Sequence, residues 1–170
     1  MIFLTVGTQL PFDRLTRAVD AWAAANPSAT VFGQIAQPDA SGYRPKNFET
    51  CAFMEPAEVE RRFQTADAVI GHAGMGTIIT ALTHAKPLLI MPRRAHLSEQ
   101  RNDHQFGTAG RFGDKPGVSV IHEEHEAKDA IDRLWTRARA NGDPDAGPAI
   151  SPVAEARLIK ALRTFIWNDA

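Results

Sequence analysis

The chain has 170 residues, 44% of them hydrophobic and 23% charged, and its 19 Lys and Arg against 20 Asp and Glu leave a formal net charge of −1. That length suits one well-packed domain rather than two, the composition excludes disordered and fibrous classes, and the balanced charge gives no basic field to hold nucleic acid or an anionic membrane. A single cysteine, Cys51, excludes an internal disulfide and a cysteine-based zinc cluster.

The first residues, Met1 to Gly7, lack the basic and small-residue signature of a signal peptide. Apolar runs such as Pro87 to Pro92 are far too short to span a bilayer, so a cytoplasmic domain is expected. Ile2 to Val6 reads as a strand, followed by a turn at Gly7 to Pro11. Asp13 is placed as N-cap of a helix with Leu15, Ala18, Val19 and Trp22 on one side. Strands follow at Thr30 to Ile35 and, after a loop with Gly42 and Pro45, at Glu49 to Phe53; Cys51 is then a small core residue. Pro56 sits in the first turn of a helix that turns Val59 and Phe63 inward. Ala68 to Gly71 is a fourth strand, 75–85 a helix, Leu88 to Met91 a fifth strand, and 99–111 a helix after a long loop. Gly117 to Ile121 is a sixth strand, followed by a helix over Glu123 to Ala140. Asn141 to Pro152, rich in Gly, Pro and Asp, reads as a linker, and Val153 to Trp167 as a last helix.

Alternating strands and helices, with strands apolar almost throughout, predict an α/β domain: a Rossmann-like parallel sheet of about six strands, helices on both faces. In such sheets ligands bind beyond the carboxyl ends of the strands. The loops 7–12, 53–56, 71–77 and 92–105 all follow strands and share that edge. Among them Gly71-His72-Ala73-Gly74-Met75-Gly76-Thr77 carries the most information. Three glycines between a buried strand and a helix start let the backbone approach an anion, toward which the helix directs unpaired N–H groups. The spacing matches neither the dinucleotide fingerprint nor the Walker loop, and glycines also make plain tight turns.

Several segments then come in one order: Val6-Gly7-Thr8, Phe12-Asp13-Arg14-Leu15, the loop 71–78, Met91-Pro92-Arg93, Glu99, and Asn102-Asp103-His104-Gln105. The chain thereby resembles the C-terminal, nucleotide-sugar-binding domain of GT-B glycosyltransferases of the family 28 type. It is most similar to stand-alone versions of that domain, which act as catalytic subunits of bipartite UDP-N-acetylglucosamine or exopolysaccharide UDP-hexose transferases. The likeness covers most of 1–121; beyond that only helical character matches. It implies a domain over 1–140, a linker at 141–152, and a helix at 153–170 that docks on its own domain or on a partner. A complete GT-B enzyme needs two facing domains, and a first strand at Ile2 leaves no room for the other, so half an enzyme is expected.

The resemblance also implies roles. Amides of Gly74, Met75 and Gly76 hold a UDP diphosphate, with Thr77 adding a hydroxyl or satisfied locally. His72 and His104 are the catalytic candidates. His72 donates to phosphate, above all when protonated, or else bonds nearby backbone. Asn102, Asp103, His104 and Gln105 face the sugar, whose hydroxyls both donate and accept. Glu99 joins them or is a first-turn acid of the helix. Arg93 pairs with phosphate, as Arg94 can, or both are solvated loop arginines. Phe53 and Met54 read uracil through backbone groups, Gly7 and Thr8 close the site, and Thr80 stands where relatives carry an acidic ribose ligand. His122 and His125 beside Glu123, Glu124 and Glu126 read as a solvated helix start; no metal and no cofactor are expected. The expected function is a donor-binding subunit of an inverting transferase that moves sugar from a UDP-sugar to a lipid-linked acceptor. A membrane-associated subunit presents that acceptor and holds the protein at the inner face of the membrane. The alternative is a non-catalytic nucleotide-sugar-binding or regulatory subunit; an epimerase-like enzyme on the same fold is a weaker option.

Overall fold

The computed structural model describes residues 1–37, 42–140, 149–151 and 153–167. Its elements, in chain order, are β1 (Ile2–Thr5), α1 (Asp13–Ala25), β2 (Val31–Gln34), β3 (Glu49–Cys51), α2 (Pro56–Thr65), β4 (Ala68–His72), α3 (Met75–Thr83), β5 (Leu88–Met91), α4 (His104–Phe112), β6 (Val118–Val120), α5 (Ala127–Arg139) and α6 (Ala156–Trp167). The six strands form one all-parallel sheet in the order β3-β2-β1-β4-β5-β6.

Alternation along each strand divides the apolar residues between two cores. Ile2 and Leu4 of β1, Ile70 of β4, and Leu89 and Met91 of β5 face a core completed by Leu15, Val19 and Trp22 of α1 and Ile131 and Leu134 of α5. Phe3, Val69, Leu88 and Ile90 point the other way, onto Phe63 of α2, Ile78 and Leu82 of α3 and Ala109 of α4. Helices therefore cover both faces, which is why the strands read as apolar runs. Burying Leu15 and Val19 completely contributes about 1.5–3 kcal/mol each. The indole of Trp22 donates to Asp132 Oδ1 at 2.7 Å, joining α1 to α5.

Of the boundaries that differ from the sequence expectation, three have a local reason. Asp13 is the first helical residue and not the cap; Phe12 holds the cap position, and the Asp13 carboxylate accepts the Tyr43 N–H at 2.8 Å. The helix expected over 99–111 begins at His104, after a single 3-10 turn at Ala95–Leu97. Asp103 Oδ1 accepts the Ala95 N–H and Asn102 Oδ1 the His104 N–H, so these side chains offer the backbone a loop in place of a helix. The helix expected from Glu123 opens as a 3-10 turn at Glu124–Glu126, with Glu123 and Glu126 forming a capping box.

Most of the expected linker, 141–148 and 152, lies outside the described residues. The last helix starts at Ala156 and leaves Leu158, Leu162 and Phe165 exposed rather than in a core. Among the described residues no helix is long and apolar enough to cross a membrane.

Candidate functional site

The strand order reverses at one place. The chain begins at β1 in the middle of the sheet, runs outward through β2 and β3, then returns to lay β4 on the other side of β1. At that switch point the loops after β1 and β4 leave the sheet in opposite directions and open a crevice at the carboxyl edge. A cleft of about 950 Å³ lies there, lined by the first loop (Val6 to Leu10), the glycine loop with the first turn of α3, Arg93, and the stretch from Gln100 to Gln105 without Asp103.

The first turn of α3 forms one wall. Gly74 holds the cap position and no side chain caps the helix, so the amides of Met75, Gly76 and Thr77 lack intrahelical acceptors at the cleft. Two glycines here have steric causes. Gly7 adopts a φ of +81°, and a Cβ on Gly74 would meet His72 Nε2 at 2.2 Å. The His72 ring thus fills the space left by the glycines on either side of the crevice. Its Nδ1 is buried and makes no hydrogen bond of ordinary geometry, although the Thr5 backbone lies close enough to favour the protonated ring. Burial, and next the positive charge of Arg93, pull its pKa down to about 4. At neutral pH the imidazole is uncharged and carries one N–H, so it donates at most once where the protonated ring, expected as the better donor, could donate twice.

Arg93, 2% exposed, is bound into the fold. Nη1 donates to Pro11 O at 2.7 Å and Glu99 O at 3.0 Å, and Nη2 to Val6 O at 2.7 Å and Leu10 O at 2.6 Å. Burial lowers this guanidinium to about 10. It lines the cleft as a fixed cation, not as a solvated loop arginine. Arg94 turns away, donating to His122 O at 3.0 Å and to the Glu123 carboxylate.

Glu99 also leaves the candidate set. Its carboxylate receives Arg14 Nε at 2.9 Å and Nη2 at 3.0 Å, as well as the Arg94 N–H at 2.8 Å, and it does not line the cleft. Nor is it in a first helical turn. Asp103 is likewise spent on Ala95 N.

Of the other sequence candidates, the cleft brings together Gly7, Thr8, His72, Gly74, Met75, Gly76, Thr77, Asn102, His104 and Gln105. Gln105, 2% exposed, accepts the Arg93 N–H at 3.1 Å through Oε1. His104 Nδ1 meets Asn102 Oδ1. Phe53, Met54 and Thr80 lie outside the lining: Met54 packs in the α2–α3 core and Phe53 is 59% exposed just beyond β3. Sequence reasoning missed Gln9, Gln100 and Arg101, polar residues in loops it had marked, with nothing in their type or spacing to single them out.

Among the described residues the lining holds two guanidinium groups, Arg93 and Arg101, and no carboxylate. In a chain of net charge −1 this concentrates positive potential where a helix N-terminus already favours an anion. Among the described residues no group of three or more His, Cys, Asp or Glu is placed to hold a metal ion.

A family profile described as glycosyltransferase family 28 C-terminal domain matches residues 1–137. No curated protein matches the chain. Among solved structures, the glycotransferase of kitacinnamycin superimposes with a TM-score of 0.63 at 19% identity, over 85% of this chain and 36% of that one. A putative UDP-N-acetylglucosamine 2-epimerase from Listeria monocytogenes gives 0.68 at 10% identity, over 98% and 45%. The solution structure of ALG13 gives 0.57 at 18% identity, over 95% of this chain and 93% of that one. The chain therefore spans less than half of each of the first two proteins and nearly all of the third. At these identities the likeness shows a shared fold, half of a GT-B architecture.

Proposed function

The chain belongs to the family of glycosyltransferase family 28 C-terminal domains, and on that footing we propose that its cleft binds a UDP-sugar, the donor in a sugar-transfer reaction. One observation carries this reading: the switch-point cleft joins an uncapped helix N-terminus to two guanidinium groups and, among the described residues, has no carboxylate in its lining. A diphosphate is the chemistry such a lining suits. The amides of Met75, Gly76 and Thr77 receive its oxygens, and neutral His72 gives one further N–H. Asn102, His104 and Gln105 meet the sugar hydroxyls, and Gly7 and Thr8 close the site over the phosphates. Backbone at Phe53 and Met54, with Thr80, serves the nucleoside just outside the cleft.

In the transfer an acceptor hydroxyl attacks the anomeric carbon. The new C–O bond forms on the face opposite the departing group, and the bond to the β-phosphate oxygen breaks. UDP leaves with the electron pair, its growing charge met by amides already in position. The acceptor proton passes to a base on the facing wall; among the described residues the lining here includes no carboxylate to take it. We assign that wall and the lipid-linked acceptor to a second, membrane-associated subunit, with the exposed apolar side of α6 available for docking.

Calorimetry and reconstitution test the reading together. The purified chain binds UDP-sugar yet turns over little until the partner is added, and rapid transfer by the chain alone contradicts the division of labour. If a reconstituted complex keeps full activity when Gly74 or His104 is substituted, the chain is a regulatory subunit instead.

A further inference from the structure

Two loops, 7–12 after β1 and 92–103 after β5, both contribute residues to the cleft lining and have no ladder between them. Loops of this kind are ordinarily the mobile part of a fold. We infer that Arg93 is a positioning residue for donor binding: its single guanidinium locks the two loops in one arrangement and so sets the spacing of the cleft walls. The inference rests on the reading that the cleft holds a diphosphate ligand.

Four of its N–H groups are used, three on the carbonyls of Val6, at the entry to the first loop, and of Leu10 and Pro11 within it, and one on Glu99 in the second. The acceptors lie up to 87 residues away in sequence. Phe12 covers the group, its ring centroid 4.7 Å from the guanidinium carbon. Among the described residues no carboxylate accepts from it; Glu99, the acid whose charge acts on it, gives its side chain to Arg14 and to the Arg94 N–H. A planar fork of five donors can serve four carbonyls at once, whereas an ammonium with three rotating donors cannot. Each of those carbonyls would otherwise have to find another partner. The geometry therefore assigns Arg93 the orientation of Thr8 and Gln9 on one side and of Gln100 to Asn102 on the other, rather than a direct bond to substrate.

The test uses the full chain with Arg93→Lys, which keeps the charge and loses the fork, and Arg93→Met, which loses both. At a temperature well below each variant's unfolding midpoint, the Kd for UDP rises at least tenfold in both. Hydrogen exchange quickens together in 7–12 and 94–99 while β4 stays protected. A guanidinium that merely stabilises the domain lowers the midpoint and leaves affinity and loop exchange unchanged. That result overturns the inference, as does full affinity in Arg93→Lys. The unmutated protein gives an independent reading that does not depend on the variants folding. Arg93 side-chain protons resolved and slowly exchanging by NMR support a fixed fork, and one averaged signal overturns it. A native chain that binds no UDP overturns the reading of the cleft itself, whereas native binding with an unaffected Arg93→Lys variant overturns only the positioning role.

Discussion

Gly76 separates stability from ligand binding. It is the second residue of α3, its φ lies outside the left-handed region, and a Cβ built there meets no heavy atom within 4 Å. The protein therefore has no steric need for glycine at this position. Alanine restricts the unfolded chain and suits a helix, so Gly76→Ala stabilises the fold by about 0.4–1 kcal/mol. For a domain of this size that is an increase of roughly 1–4 °C in Tm. The added methyl points into the cleft wall beside amides assigned to the diphosphate, where a close approach of backbone to ligand requires glycine. A tenfold loss of affinity for UDP, about 1.4 kcal/mol, is expected. Differential scanning calorimetry and isothermal titration on the same preparation read the two effects, which have opposite signs. A variant that is more stable and binds UDP as tightly as the native chain shows that the diphosphate does not lie against the first turn of α3.

Other expectations concern charged groups. His72 titrates at about 4 when folded against about 6.5 unfolded, so between those values the unfolded chain takes up a proton that the native one refuses. Stability then falls by about 3 kcal/mol as pH drops from about 6.5 to 4. His72→Asn flattens this stretch of the denaturation profile, and an unchanged slope refutes the assignment. Glu99→Gln breaks a pair whose side chains are 6% and 11% exposed and costs about 3 kcal/mol in urea unfolding. A cost under about 0.5 kcal/mol with sugar affinity abolished would return Glu99 to the sugar site. Arg101, whose guanidinium has no partner among the described residues, is the second cation of the cleft lining. Arg101→Gln leaves the midpoint unchanged and weakens UDP binding severalfold at low salt, a difference that disappears near 1 M salt; equal low-salt affinities contradict the role.

The sheet and the glycine loop were legible because their causes are local. Strands buried on both faces must be apolar nearly throughout, as Leu88 to Met91 are, and the glycines of 71–77 mark a close turn before a helix whatever the rest of the chain does. The roles of Arg93 and Glu99 were not legible. Arg93 is bound by carbonyls, which every residue carries, and Glu99 by a guanidinium 85 positions earlier, so residue type and spacing leave no trace of either contact. His72 was correctly placed beside the glycines, but its charge depends on burial and on Arg93, a tertiary fact. The start of α4 was misplaced because Asn102 and Asp103 bond their own backbone, and helical pattern alone does not reveal that competition.

A structure of the chain with UDP bound tests the central claim most directly. Diphosphate oxygens about 3 Å from the amides of Met75, Gly76 and Thr77, with His72 beside them, are the predicted result. A diphosphate held elsewhere, for instance in the smaller hollow lined by Ile35, Arg44 and Cys51, or no binding at millimolar UDP, would contradict it.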